Sequence, residues 1–318
     1  MTGGLALRHV LESITPASAA QREHARRRLR ARGPLSEQLG GALAGAQHGA
    51  PRAARRALLV ALGDHGAADP GVRLGAEHPT ASAARDLAGG GGPLNSLLRA
   101  ARAELLLLDC GCAEPAHLPS SVVRLGRHPS GDARLAAALT VVERNAALEA
   151  GIAVAVSLVG DGVDVLAVGA LGLGAEISAA LLAGALLPPD SEPLGRAAEP
   201  ELVALGRAFA EREHPDALAL LGAFAGPEHA VLTGVILAAA SMNVPVILDG
   251  ESTALAALLA ARMAPACAGY LLASQLGLGY LPAIARALEL SPVFAGGVGH
   301  GEGAGAAMVL GLLDAVAL

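Results

Sequence analysis

One pattern constrains this chain more than any other. Short runs of Val, Ile and Leu stop at a Gly, an Asp or a Ser, and Ala-rich stretches separate them. The runs are "ALLVALGD" (57–64), "ELLLLDCG" (104–111), "AVAVSLVG" (153–160), "DVLAVGAL" (164–171), "VPVILDG" (244–250) and "GYLLAS" (269–274). Nearly continuous apolar runs mark strands buried on both faces, as in parallel sheets covered by helices. The pattern predicts an α/β fold, a three-layer Rossmann-like parallel sheet flanked by helices. Ligands of such sheets bind beyond the carboxyl ends of the strands. The candidates are therefore Asp64, His65 and Gly66, then Asp109, the Gly172/Gly174 turn, Asp249 with Gly250, and Ser274. Residues 1–45 read as polar and helical. They are expected to pack with the C-terminal helix as a small helical subdomain beside a main α/β domain, 46–318. The segment Pro188–Pro193 reads as an exposed connector.

Composition narrows the function classes. Of 318 residues, 53% are hydrophobic but only 2% aromatic, with no Trp, so Ala, Leu and Val must build the core. All 23 basic residues are Arg, which removes Schiff-base and lysine–phosphate chemistry. A net charge of −6 argues against a nucleic-acid partner. The cluster "REHARRRLRARG" (22–33) reads as a solvated helix face. Cys110, Cys112 and Cys267 have neither disulfide-framework nor metal spacing and are expected as buried thiols. The stretch Ala230–Leu248 carries Asn243 and Pro245 and lacks aromatic or basic flanks. It reads as a buried helix followed by a strand, not a membrane span. No secretory leader is evident at the N-terminus, and the cytoplasm is the expected compartment.

Four stretches carry possible chemistry, each beside a plainer reading. "VGALGLGAEIS" (168–178) follows a strand and opens a helix, where backbone N–H groups favour phosphate. Its Gly169-x-x-Gly172-x-Gly174 spacing is not the dinucleotide fingerprint, and a structural turn explains it as well. "LGDHGAADPGV" (62–72) offers Asp64 and His65 for proton transfer or metal binding, or as a hydrogen-bonded pair fixing the loop. In "ILDGESTALAALLA" (247–260), Ser252 or Thr253 is expected to cap the helix, or to meet a phosphate there. "GGVGHGEGAGAA" (296–307) sets one carboxylate, Glu302, among six glycines before an apolar helix. Glycine permits close backbone approaches, so this acid either faces a ligand or is an idle turn residue. No metal or cofactor motif is present.

In order, these segments resemble the nicotinate-nucleotide:dimethylbenzimidazole phosphoribosyltransferase family of cobalamin lower-ligand activation. The likeness runs from about Gly40 to Leu318. It is carried by "GDHG" (63–66), "LAGGGGPLN" (87–95), "ALEAGIAVA" (147–155), "LTGVILAAASMNVPVILDG" (232–250) and "GEGAGAAMVLGLLDA" (301–315). The resemblance implies that 46–318 binds a nucleotide and that Glu302 is the catalytic base. It implies transfer of phosphoribosyl from nicotinate mononucleotide to a benzimidazole-type base, with no cofactor and as a homodimer. Gly172, Gly174, Asp249, Gly250, Thr253, Ser274, His300, Gly301 and Gly303 become expected substrate-site residues, with Asp64, His65 and Arg207 as further candidates.

The chain also departs from the family. The Gly-Glu-Met-Gly-Ile-Gly-Asn-Thr-Thr loop becomes Gly169–Ile177, with Ala170 for the acid and Ala175-Glu176-Ile177 for Asn-Thr-Thr. Glu176 is electrostatically adverse to a phosphate. Gly-Arg-Gly-Thr-Gly becomes Gly195–Glu199, and Arg207 loosely stands where a Lys is expected. The stretch before the pocket helix becomes Arg73–Ala76, Ser-His becomes Ser274-Gln275, and Arg-Leu becomes Gly299-His300. The alternative reading is a non-catalytic or substrate-shifted homologue that binds a small heterocycle or nucleotide, alone or as a partner subunit.

Overall fold

A computed structural model describes residues 4–68, 71, 77–194, 199–299 and 301–316. The helices and strands follow in chain order: α1 Leu5–Ser13, α2 Ala19–Leu29, α3 Pro34–Ala46, β1 Arg56–Gly63, α4 Pro79–Ala88, α5 Gly92–Ala101, β2 Ala103–Gly111 and β3 Val123–Arg124. Then come α6 Val141–Gly160, β4 Val165–Leu171, α7 Ala175–Leu186, α8 Pro200–Glu213, α9 Ala217–Phe224 and α10 Pro227–Ser241. The chain closes with β5 Val246–Leu248, α11 Glu251–Met263, β6 Leu271–Ala273, α12 Leu281–Ala287 and α13 Ala304–Leu312.

The six strands form one parallel sheet in the order β3-β2-β1-β4-β5-β6. All eight residues of β1 are buried. Its side chains alternate between two cores, as the period-2 geometry of a strand requires. Ala57, Leu59 and Ala61 join the core under α6, α7, α10 and α11, while Leu58, Val60 and Leu62 join the core under α3, α5 and α13. The sheet is therefore sandwiched between two helical layers, as the apolar runs predict.

Two local readings change. The run 153–160 lies inside α6, a helix of 20 residues, and is not a strand. A capping box between Thr140 and Glu143 starts that helix. Its buried positions, Ala147, Leu148, Gly151, Ile152 and Ala155, follow helical spacing. The sixth strand is instead the two-residue edge β3, whose both residues are exposed. The second change is at α11, which is capped by Gly250 (φ +84°), with no side-chain cap. Thr253 sits a turn too late to cap and donates to the Asp249 and Gly250 carbonyls at 2.9 and 3.0 Å.

The segment 230–248 is a buried helix followed by a strand. No helix among the described residues is long and apolar enough to cross a membrane. Cys110, Cys112 and Cys267 are free and buried. The connector 188–193 joins α7 to α8 and is largely exposed. Within the Arg-rich α2, Arg22 turns inward and donates to the Gly269 carbonyl at 3.2 Å. At the N-terminus, α1 contributes Leu7 and Val10 to the first core, whereas α2 and α3 contribute Leu29, Leu39 and Leu43 to the second. The second core also holds Leu313 and Val316 from the C-terminal segment.

Candidate active site

The strand order reverses between β1 and β4. An open parallel sheet leaves a crevice at such a point, because the connections on either side run to opposite faces. A cavity of about 300 Å³ opens there. Its wall includes Gly63 at the end of β1, Ala170 and Leu171 at the end of β4, Gly172, and Gly301 from the C-terminal glycine loop. Close backbone packing shapes this wall. A Cβ on Gly172 would fall 1.6 Å from the Gly63 carbonyl oxygen, and one on Gly250 would fall 2.4 Å from the Gly301 Cα. Gly174, with φ +83°, caps α7 beside it.

Glu302 is half-buried on that loop. Gly299, Gly301 and Gly303 have φ of +74°, +103° and +113°, which L side chains rarely adopt. Those conformations let the loop fold against the sheet. The Ala170 N–H donates to the Gly301 carbonyl at 3.0 Å, and a Cβ on Gly169 would lie 2.6 Å from the Glu302 carbonyl carbon. The carboxylate leans toward Gly299, where a Cβ would stand 3.3 Å from Oε1.

Asp249, at the end of β5, clamps this loop. Its Oδ2 accepts the Gly303 and Gly305 N–H groups at 3.0 and 3.1 Å. Its Oδ1 accepts Ser274 Oγ at 2.8 Å and Gln275 Nε2 at 2.6 Å. Gln275 in turn accepts the Val298 N–H. Burial pushes the Asp249 pKa up against these hydrogen bonds, and the Glu302 charge adds to the rise. Asp249 and Ser274 thus stand at the expected place with their polar atoms spent on holding the loop that carries Glu302.

Asp64 ties three segments together. It accepts from Thr80 Oγ1 at 2.5 Å, Ala113 N at 2.8 Å and Leu173 N at 2.9 Å. Asp109 turns its own loop, accepting from Gly111 N and Cys112 N. His65 belongs to a buried network with residues the sequence did not flag. Its Nδ1 lies 2.8 Å from Ser178 Oγ, and its Nε2 lies 2.9 Å from Glu228 Oε1. The same Oε1 is 2.7 Å from His229 Nδ1. Burial lowers the His65 pKa, but the Glu228 charge and hydrogen bond, with Asp64 and Glu176, more than reverse this, and the net shift is upward. For Glu228, burial raises the pKa while His65 and His229 pull it down further, leaving it well below the usual carboxylate range.

Glu176, Glu228 and Glu251 all line the cavity, with Ser252. No arginine does so among the described residues. Arg207 is elsewhere, donating to the Pro189 carbonyl at 3.3 Å. His300, Arg73–Ala76 and residues 195–198 lie outside the described residues. His65, Glu228 and His229 set one potential metal-ligating atom each within 4.8 Å of the others. Glu228, His229 and Glu251 carry no recognisable motif. The one local signal is Pro227-Glu228-His229 at a helix start, a common place for an acid.

A family model described as a phosphoribosyltransferase matches residues 12–318. A protein of Roseiflexus sp. (strain RS-1), named nicotinate-nucleotide–dimethylbenzimidazole phosphoribosyltransferase, is 34% identical over 296 residues, 88% of this chain and 82% of that protein. One of the same name from Streptomyces avermitilis is 35% identical over 299 residues, 88% of this chain and 79% of that protein. The crystal structure of the enzyme of that name from Thermus thermophilus is similar with a TM-score of 0.76. It is 25% identical, with 99% of this chain and 95% of that one covered.

Proposed function

The chain belongs to the nicotinate-nucleotide–dimethylbenzimidazole phosphoribosyltransferase family, and on that premise we propose that it catalyses the reaction its relatives' names describe. It transfers phosphoribosyl from nicotinate mononucleotide to a benzimidazole-type base. The products are an α-ribazole phosphate and nicotinate, for cobalamin nucleotide-loop assembly.

The observation that carries this reading is Glu302, held on a clamped glycine loop at the strand-order reversal. A ring nitrogen of the base attacks ribose C1′. The new N–C1′ bond forms as the bond to the pyridinium nitrogen breaks, and the configuration inverts. The pyridinium accepts the bonding electron pair and leaves as neutral-ring nitrogen. The attacking ring would become cationic unless its other nitrogen gave up a proton. Glu302 takes that proton and offsets the charge as it builds. The glycines at 299, 301 and 303 put no side chain beside the carboxylate, so a flat heterocycle can lie against the backbone. Asp249, Ser274 and Gln275 fix the loop in place, which sets the orientation of the base catalyst. The test is incubation with nicotinate mononucleotide and dimethylbenzimidazole, read by chromatography. Formation of the α-riboside is expected. Binding of both substrates without product would contradict the reading.

The quaternary and cellular parts of the proposal rest on other features. A homodimer is supported by an exposed apolar groove lined by Leu135, Val141 and Leu205, and sedimentation at twice the chain mass is its check. A cytoplasmic setting is supported by three unpaired thiols. Grouping α2 and α3 with the C-terminal segment as a small subdomain is supported by the packing of Leu29, Leu39 and Leu43 with Leu313 and Val316, in a core that also holds Leu58, Val60 and Leu62 of β1.

A further inference from the structure

Glu228 stands at the start of α10 and is 1% exposed. Its two carboxylate oxygens are treated very differently. Oε1 lies 2.9 Å from His65 Nε2 and 2.7 Å from His229 Nδ1, which also accepts the Gly226 N–H at 3.2 Å. Oε2 is buried and has no hydrogen-bond partner among the described residues. Two glycines make its room: a Cβ on Gly63 would lie 2.5 Å from Oε2, and one on Gly226 would lie 2.4 Å away. Gly63 and Glu228 are both part of the wall of the 300 Å³ cavity.

A buried carboxylate oxygen with no donor is costly, and native structures seldom leave one without a reason. His65 is the main group holding this carboxylate ionised against its burial, so Oε2 can only accept. The cavity's other polar side chains are Glu176 and Glu251, again acceptors, and Ser252, whose hydroxyl can donate or accept. A ligand that satisfies Oε2, beside Gly63, brings a donor. Both imidazoles lie at hydrogen-bond distance from Oε1, which leaves Oε2 as the unpaired oxygen. The part of the proposed donor that carries O–H groups is its ribose.

We propose that Glu228 Oε2 accepts a hydroxyl of the donor's ribose, making Glu228 the residue that selects a ribosyl over a deoxyribosyl donor. This rests on the reaction proposed above. Carboxylates are established acceptors of ribose hydroxyls in nucleotide sites. A site built to bond a hydroxyl rejects a ligand without it strongly, since the acceptor is then left unpaired. His65 and His229 are positioning residues here, because they act through Glu228.

The test compares nicotinate mononucleotide with its 2′-deoxy and 3′-deoxy analogues, using the wild type, Glu228→Gln and Glu228→Asp. Binding is read by calorimetry and turnover separately, after thermal melting has shown that each variant is folded. One deoxy analogue is expected to bind the wild type roughly 30-fold or more weakly. The folded variants should bind the intact donor more weakly and discriminate by less than about 3-fold, because the acceptor is altered or withdrawn. A merely structural Glu228 would lower stability but keep the discrimination, and that result overturns the proposal. So does a wild type that binds both deoxy analogues as tightly as the intact donor. Discriminating binding without turnover would overturn the catalytic reading and support this one.

Discussion

Four donors converge on the Asp249 carboxylate, two from side chains and two from the backbone of the loop that carries Glu302. Asp249→Asn keeps the shape but turns an NH2 toward N–H groups or toward Ser274 and Gln275. The expected cost is about 1–3 kcal/mol of stability, because a buried donor is left facing a donor. Turnover should fall more than donor binding, since the loop that carries Glu302 shifts while Gly63, Ala170 and Leu171 of the cavity wall stay in place. Denaturant melts and a kcat-against-KM comparison check this, and unchanged values in a folded variant would refute it. That Glu302, Asp249, Ser274, Gly172 and Gly301 stand at this end of the sheet is legible in the sequence, since each follows an apolar run or sits among glycines. Their partners are not. Glu228 meets His65 across 163 positions of sequence, and nothing local to Pro227-Glu228-His229 marks that meeting. Nor does residue type say that Ser274 is spent on Asp249 and not on a ligand.

Where α6 crosses α10, each helix offers a glycine to the other's backbone. A Cβ on Gly151 would sit 2.0 Å from the Val231 carbonyl oxygen, and one on Gly234 would sit 2.1 Å from that of Leu148. Gly234→Ala forces the helices apart and should destabilise the protein by about 1–3 kcal/mol, as overpacking does, even though Ala is the better helix former. Urea unfolding measures it, and a neutral or stabilising result would contradict the packing described. This crossing also explains why the run 153–160 misled. "AVAVSLVG" alternates like a strand, but the frame of α6 is set upstream, by the Thr140–Glu143 box and by Gly151 against α10. Five of the six apolar runs are strands, each buried over most of its length between the two helical layers. The edge strand β3 has two exposed residues and no hydrophobic signal to read.

Across the molecule, the sheet order places residues from β1, β4, the start of α11 and the C-terminal loop at one crevice. Alternation of apolar runs with helices foretold the α/β class and the sheet edge at which the crevice opens. It did not foretell the order of strands, which depends on how connections cross the sheet. The buried His65–Glu228 pair lends the whole fold a pH dependence. His65 is raised from 6.5, so its contribution is full below that value and lost as pH rises through the folded pKa. Glu228 is lowered from 4.5, so its contribution is full above that value and lost as pH falls through the folded pKa. The pair therefore stabilises most between about 4.5 and 6.5. The melting temperature should be higher near pH 6 than near pH 8.5, and His65→Gln should shrink that difference. An unchanged difference in the variant would assign the pH dependence to other groups.

The measurement to make before the others is turnover of Glu302→Gln with nicotinate mononucleotide and dimethylbenzimidazole, beside its melting curve. The amide keeps the size of the side chain and cannot take a proton. If Glu302 is the base, kcat falls by about 100-fold or more, while the melting temperature and donor binding hold. A folded Gln variant that turns over at the wild-type rate would place the base elsewhere and undo the mechanism.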